Sequence, residues 1–225
     1  MKKHFFLLFS LCLLLFSCGD NKIPEGEIEY IISYPHSDVS GFMEHILPET
    51  MTLTFKGSKV KSQIARGKIF KTEVVSDEAD NSIEMRLDFG DKIFYCVLNE
   101  EEVKKLKDSQ PTYDVTETGK ADSVQGMWSK EYTVNSNDTI DHDNAWFTED
   151  LAPQSAYFYS SYHDIKGLPL VFDIERYGII MHLEATKFIR REVKEEEFNR
   201  DPALEEVSFD EYEAEVQELF DILMN

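Results

Sequence analysis

A chain of 225 residues with 44 acidic against 23 basic side chains carries a net charge of −21 at neutral pH. Such a field repels nucleic acid and anionic membrane surface, which argues against a role in binding either directly. The length suits one β-rich domain with an ample core, and neither a 20–50-residue repeat nor a low-complexity tract interrupts it.

The chain opens with Lys2 and Lys3, then an apolar run over residues 5–16, then Leu15-Phe16-Ser17-Cys18 and the polar Gly19-Asp20-Asn21. A charged start, a short apolar stretch and a small residue before a cut form an export signal. The run is too short to span a bilayer, which takes about 20 apolar residues. Leu-x-Ser-Cys resembles the lipobox of bacterial lipoproteins, with Phe16 in place of the usual small or branched residue. The resemblance implies removal of residues 1–17 and a diacylglycerol on the Cys18 thiol. It also implies a further acyl chain, of the palmitate kind, on the new amino terminus. Two lipid signals suffice for stable anchoring. Residues 18–25 then read as a short lipidated tether and 26–225 as a single β-rich domain. Of the three cysteines, Cys12 leaves with the leader and Cys18 is acylated. Cys96 therefore has no disulfide partner, although the exported compartment would permit one. It sits in an apolar run and reads as a small core residue.

Alternation of period two dominates the body. Ile28, Tyr30, Ile32 and Tyr34 share one face of a first strand, and Met51, Leu53 and Phe55 one face of a second. A turn at Lys56-Gly57-Ser58-Lys59 leads to Val60, Ser62 and Ile64, and Arg66-Gly67-Lys68 turns the chain into residues 69–75. Ile83, Met85, Leu87 and Phe89 form another strand, and Gly90-Asp91 leads into residues 93–98. Glu100–Asp108 is predicted as a short charged helix. Residues 124–134 read as one longer strand. Residues 170–176, a turn at Tyr177-Gly178 and residues 179–188 form a last hairpin. Short connections of this kind imply antiparallel meander pairing. Ser208 and Glu211 make a capping-box pattern at the start of a helix over 208–224. Phe209, Tyr212, Val216, Leu219, Phe220 and Leu223 fall on one face of it, and its acidic opposite face favours packing on the sheet over lying on a membrane.

The segment Asn144-Ala145-Trp146-Phe147-Thr148-Glu149-Asp150-Leu151, followed by Ile165-Lys166-Gly167-Leu168-Pro169-Leu170, is similar to a group of exported Bacteroidetes proteins with a Gly-Leu-Pro-Gly-Leu-Ile motif. Gly26-Glu27-Ile28-Glu29-Tyr30 resembles their first strand, and residues 51–64 their second and third. Where many of those relatives have Gly-Tyr-Cys, this chain has Gly126-Met127-Trp128, so no role of that cysteine carries over. The resemblance implies a fold like the LolA and LolB carriers: a single curved antiparallel sheet, an open half-barrel, covered by helices. It also singles out Trp146, Thr148, Gly167, Leu168 and Pro169. Gly and Pro give Gly167-Leu168-Pro169 a structural reading as a tight bend, or a part in a lid over a cavity.

Little here points to catalysis. No HExxH, nucleophile elbow, phosphate loop or dinucleotide fingerprint occurs, and no cofactor is expected. Asp138-Thr139-Ile140-Asp141-His142-Asp143 has aspartates at a spacing that suits Ca²⁺. It lacks the turn glycine and distal Glu of a calcium loop, so a solvated acidic turn without metal is expected. Asp122-Ser123-Val124 and Asp138-Thr139-Ile140 resemble the O-glycosylation pattern of exported Bacteroidetes proteins. The leading expectation is a non-catalytic envelope lipoprotein, placed at the outer membrane, whose β cavity holds a hydrophobic ligand. Apolar residues on both faces of strands, as in Phe94, Tyr95, Val97 and Leu98, suit either such a cavity or a second packed layer. The rival is a protein-binding lipoprotein, an adhesin or assembly subunit, that exposes Tyr157-Phe158-Tyr159-Ser160-Ser161-Tyr162 as contact residues. Cys18→Ser tests the anchor, because a hydroxyl is a far poorer nucleophile than a thiolate. Metabolic labelling with an alkyne fatty acid should mark wild type and Cys96→Ser and leave Cys18→Ser unlabelled. Equal label on wild type and Cys18→Ser would overturn it.

Overall fold

The computed structural model describes residues 22–35, 45–68, 70–136 and 142–224, with no side-chain description beyond Asp221. The leader, Cys18, Ile69, residues 138–141 and the Leu223 side chain lie outside this description. Twelve strands form one sheet: β1 (Glu25–Ser33), β2 (Thr50–Lys56), β3 (Lys59–Arg66), β4 (Phe70–Asp77), β5 (Ser82–Phe89), β6 (Lys92–Leu98), β7 (Tyr113–Val124), β8 (Met127–Ser136), β9 (Ala145–Thr148), β10 (Leu168–Arg176), β11 (Ile179–Ile189) and β12 (Glu205–Glu206). Among the described residues two α-helices accompany it, α1 (Glu100–Asp108) and α2 (Phe209–Met224). The order across the sheet is β12-β6-β5-β4-β3-β2-β1-β11-β10-β9-β8-β7. It is open, mainly β and mostly antiparallel, with β12 on β6 as the parallel pair. No helix among the described residues is long and apolar enough to cross a membrane.

The expected meander from β2 to β6 is present, and the β10–β11 hairpin turns at Tyr177-Gly178 as predicted. The single strand expected over 124–134 is instead a hairpin. Gln125 and Gly126 both take positive φ, 51° and 80°, the backbone of a two-residue turn whose twist matches its strands. Its first arm, β7, carries no apolar alternation because it is an edge strand exposed along most of its length. Glu117, Lys120 and Asp122 lie on that edge beside a bulge at Gly119, features that discourage pairing with a foreign strand. Leu168 and Pro169, expected as a bend ahead of a strand starting at 170, already belong to β10. Proline is tolerated there beside the register shift between Pro169 and Val171.

The two faces of the sheet differ in what covers them. On the inner face Ile28, Tyr30, Met51, Leu53, Phe55 and Phe172 join Tyr157 and Tyr162 in one apolar cluster. Ile83, Met85, Leu87, Phe94, Cys96 and Leu98 join α1 and α2 in a second. Both helices are capped, α2 as the sequence implies. Asn99 and Glu102 form a capping box on α1, and Ser208 and Glu211 exchange hydrogen bonds at the start of α2. Phe209, Tyr212, Val216 and Leu219 of α2 are buried.

On the outer face residues 190–207 form a strap that runs from β11 across β1 to β5 and ends as β12. Side-chain cations hold it. Lys56 Nζ donates to the Val193 carbonyl at 2.8 Å, Lys61 Nζ to Glu197 at 2.6 Å, and Arg86 Nη2 to Phe198 at 2.6 Å. Arg86 also pairs with Glu73 at 3.0 Å, with side chains only 5% and 10% exposed. This strap explains why Tyr95 is buried although it points away from the helices: Arg200 stacks on its ring at 4.1 Å and Glu206 accepts from its hydroxyl. Val97 and Ile93, on that same outer face, stay exposed. Apolar residues on both faces of β6 thus reflect helices on one side and the strap on the other. Arg86→Ala strands Glu73 without its partner and frees the strap. It should cost roughly 3–5 kcal/mol in denaturant unfolding, and amide exchange should accelerate first at residues 193–200.

Candidate functional site

β5 and β10 are separated by five intervening strands, yet Met51, Ile64, Met85, Leu87, Ile174 and Met181 line one cavity. Strands lie about 4.8 Å apart, so a flat sheet would hold Leu87 and Ile174 far from each other. The sheet bends around the cavity, whose volume is about 170 Å³. The cavity lies where the two apolar clusters meet. Tyr212, Val216 and Phe220 of α2 close one side, and Tyr157, Tyr159 and Tyr162 roof another. Burial pushes the Tyr157 phenol up to about 12 and raises those of Tyr159, Tyr162 and Tyr212. These hydroxyls therefore stay neutral near pH 7, and the interior carries no phenolate charge.

The roof is built by residues 152–167, tied down at their base. Glu78, in the β4–β5 turn, accepts the backbone N–H of Gln154 at 3.0 Å and also that of Ser155. Gly167 N–H donates to the Gln154 carbonyl at 2.7 Å and closes the loop. Ser161 Oγ donates to the Pro111 carbonyl at 2.6 Å, which holds the far side. The aromatic run 157–162, legible in sequence as a contact surface, is instead turned inward: Tyr157 and Tyr162 are buried.

A second feature was not legible. Asp173, 1% exposed, takes His142 Nδ1 on one carboxylate oxygen at 2.9 Å and His182 Nδ1 on the other at 2.8 Å. β9 pairs with β10 only as far as Val171. Beyond it the Asp173 N–H meets the Tyr162 hydroxyl at 3.4 Å, and Tyr113 packs on both His142 and Tyr162. His142 is thus buried in the fold rather than displayed on a solvated acidic turn. Among the described residues no group of three or more His, Cys, Asp and Glu side chains is placed to hold a metal. Burial works to raise Asp173, but hydrogen bonds from His182 and His142 outweigh it and hold the carboxyl below its ordinary value. The hydrogen bond to Asp173 raises His182 above the usual histidine value, against burial. Cys96, also buried, has its thiol pushed up to about 12 by desolvation, which makes it a poor nucleophile.

No protein-family model and no curated protein sequence matches the chain. Among solved structures it is similar to PNGF-II in two crystal forms, C2 and P21, at 15% and 14% identity with a TM-score of 0.54 for each. The match covers 85% and 86% of this chain but only 32% and 33% of those chains. The protein therefore spans about a third of PNGF-II, and at this identity the likeness concerns the fold alone.

The residues singled out by sequence come together, but away from the cavity. Thr148 and Leu168 are cross-strand partners, as are Phe147 and Pro169, and Trp146 lies opposite Val171. Thr148, fully buried, donates through Oγ1 to the Trp128 carbonyl at 2.9 Å. Gly167 has φ of +96°, and a Cβ there would run into the Thr148 carbonyl. The group forms the seam at the foot of the roof loop. The His–Asp–His cluster could have been suspected only from Asp173 and His182, polar residues inside predicted apolar strands.

The cluster yields a pH signature. The lowered Asp173 contributes stability above its ordinary value of 3.8, lost as pH falls through its folded value. The raised His182 contributes stability below its ordinary value of 6.5, lost as pH rises through its folded value. Both contributions are present together between those two values. Asp173→Asn should cost roughly 3 kcal/mol near pH 5.5, and less above pH 8 and below pH 3. A penalty that does not vary with pH, in urea unfolding across that range, would contradict the ionic reading.

Proposed function

We propose that the protein is a non-catalytic envelope lipoprotein, anchored through lipid on Cys18, that holds a hydrophobic ligand in the cavity between the bent sheet, α2 and the aromatic roof. The observation that carries this reading is an apolar cavity roofed by the segment that would otherwise be the chain's most aromatic surface. A sheet bent around one cavity, with helices on its inner face, agrees with the open half-barrel of the LolA and LolB carriers.

Strand register adds an orientation. The tether enters at β1, whose start pairs with the ends of β2 and β11. The cavity lies toward the other end, near the β10–β11 turn. β11 has 11 residues, so the two ends are about 35 Å apart. A lipid on Cys18 would hold the cavity away from the anchoring membrane, as suits exchange with a soluble or opposing partner. The rival reading, a protein-binding lipoprotein, would rest on Trp128, 61% exposed in the β7–β8 hairpin.

The full chain expressed in bacteria should carry co-purified lipid in native mass spectrometry, or take up a fluorescent fatty-acyl ester. Ile174→Trp fills the cavity and should reduce uptake about ten-fold or more while leaving the far-UV circular dichroism unchanged. Absence of both lipid and uptake in wild type would overturn the carrier reading.

A further inference from the structure

Beside the apolar cavity lies a polar vestibule of about 240 Å³ between the end of α1, the β10–β11 turn and α2. Gln110, Glu175, Arg176 and Tyr177 belong to both spaces, so Arg176 stands where the apolar interior gives way to polar walls. Its Nη2 donates to Glu213 Oε1 and to the Tyr177 hydroxyl, each at 2.9 Å. The Tyr177 hydroxyl in turn donates to the same Glu213 oxygen at 3.1 Å. Among the described residues no hydrogen bond engages Arg176 Nε or Nη1. The charged groups of the vestibule are one guanidinium and two carboxylates, Arg176 with Glu175 and Glu213. An anionic head is repelled by both carboxylates of this set and a cationic head by its guanidinium, whereas hydroxyls both accept from a guanidinium and donate to a carboxylate. The apolar space, about 170 Å³, is close to the roughly 150 Å³ apolar cavity that takes up benzene. It has room for one short or partly inserted chain and none for two.

Resting on the carrier reading above, we infer that the ligand is an uncharged single-chain amphiphile, its tail in the apolar cavity and a polyhydroxyl head in the vestibule against Arg176 and Glu213. Glu213 thereby acts as the residue that rejects anionic heads, because it sits beside Arg176, the one arginine of the vestibule among the described residues.

Three probes with the same eight-carbon tail separate the alternatives: 1-monooctanoylglycerol, octanoate and octyltrimethylammonium. Each is titrated below its micelle concentration against the full chain, read by native mass spectrometry. Monooctanoylglycerol should bind at least about ten-fold more tightly than either ion, because each ion meets like charge at the mouth and the hydroxyls do not. Glu213→Gln keeps the size and the acceptor oxygen but removes the charge. It should raise octanoate affinity about ten-fold and weaken monooctanoylglycerol, whose hydroxyls lose a charged acceptor, so that the two probes shift in opposite directions. Equal binding of all three probes, or preference for an ion, overturns the head-group inference and leaves the cavity reading intact. No binding of any probe overturns both. The wild-type ranking decides the point even if the variant fails to fold.

Discussion

A single open sheet with no second sheet against it has to hide one apolar face, and this constraint shapes the rest of the molecule. The inner residues of β1 to β6 and of β10 and β11 are mostly large and apolar. Leaving them in water would forfeit about 25 cal/mol for each Å². Two unrelated covers meet the need. α2 lays its buried stripe over β5 and β6, and the loop 152–167 lays its tyrosines over the strands around β1. Helix and loop cannot match each other's contour as two faces of a sandwich do, and the space left between them is the cavity. A void of this size inside close-packed protein is costly, which is the physical ground for expecting an occupant.

The outer face shows the opposite solution. Many strand residues there are charged, and the strap 190–207 satisfies several of them with its own carbonyls and carboxylates. Arg191 joins Glu27 and Glu197, while Lys56, Lys61 and Arg86 each donate to a strap carbonyl. The strap also delivers the chain from β11 to β12, on the far side of β6, and so places α2 on the inner face. The polar back and the apolar front are therefore linked through one segment, and the wall that α2 gives the cavity depends on both.

The seam at Thr148, Gly167 and Leu168 and the His142–Asp173–His182 cluster brace the roof from two sides. The first closes the base of the loop. The second fills the length of β10 that β9 leaves unpaired, with Tyr162 bridging from roof to strand. Neither touches the vestibule, where Arg176 and Glu213 are supplied by β10 and α2. Rigidity of the roof and chemistry of the mouth thus rest on different residues.

The sequence by itself determined what is local. Period-two alternation located β1, β2, β3 and β5, because one face of each strand is buried and the other is not. The turns at Gly67, Gly90 and Tyr177-Gly178 bounded β4, β6, β10 and β11. Ser208 and Glu211 located the start of α2, because a capping box satisfies donors within three residues. Gly167 announced a bend that a side chain would obstruct. Tertiary structure decided whatever depended on a neighbour distant in sequence. β7 was missed because an exposed edge strand has no buried face to set a pattern, and β12 because two residues pair only by virtue of the strap. The tyrosines of 157–162 would look the same on a surface or under a roof; only Glu78 and Gly167, holding the ends of the loop, turn them inward. The same holds for Arg176 and Glu213, which are 37 residues apart and become one polar mouth only when α2 packs across the end of the sheet.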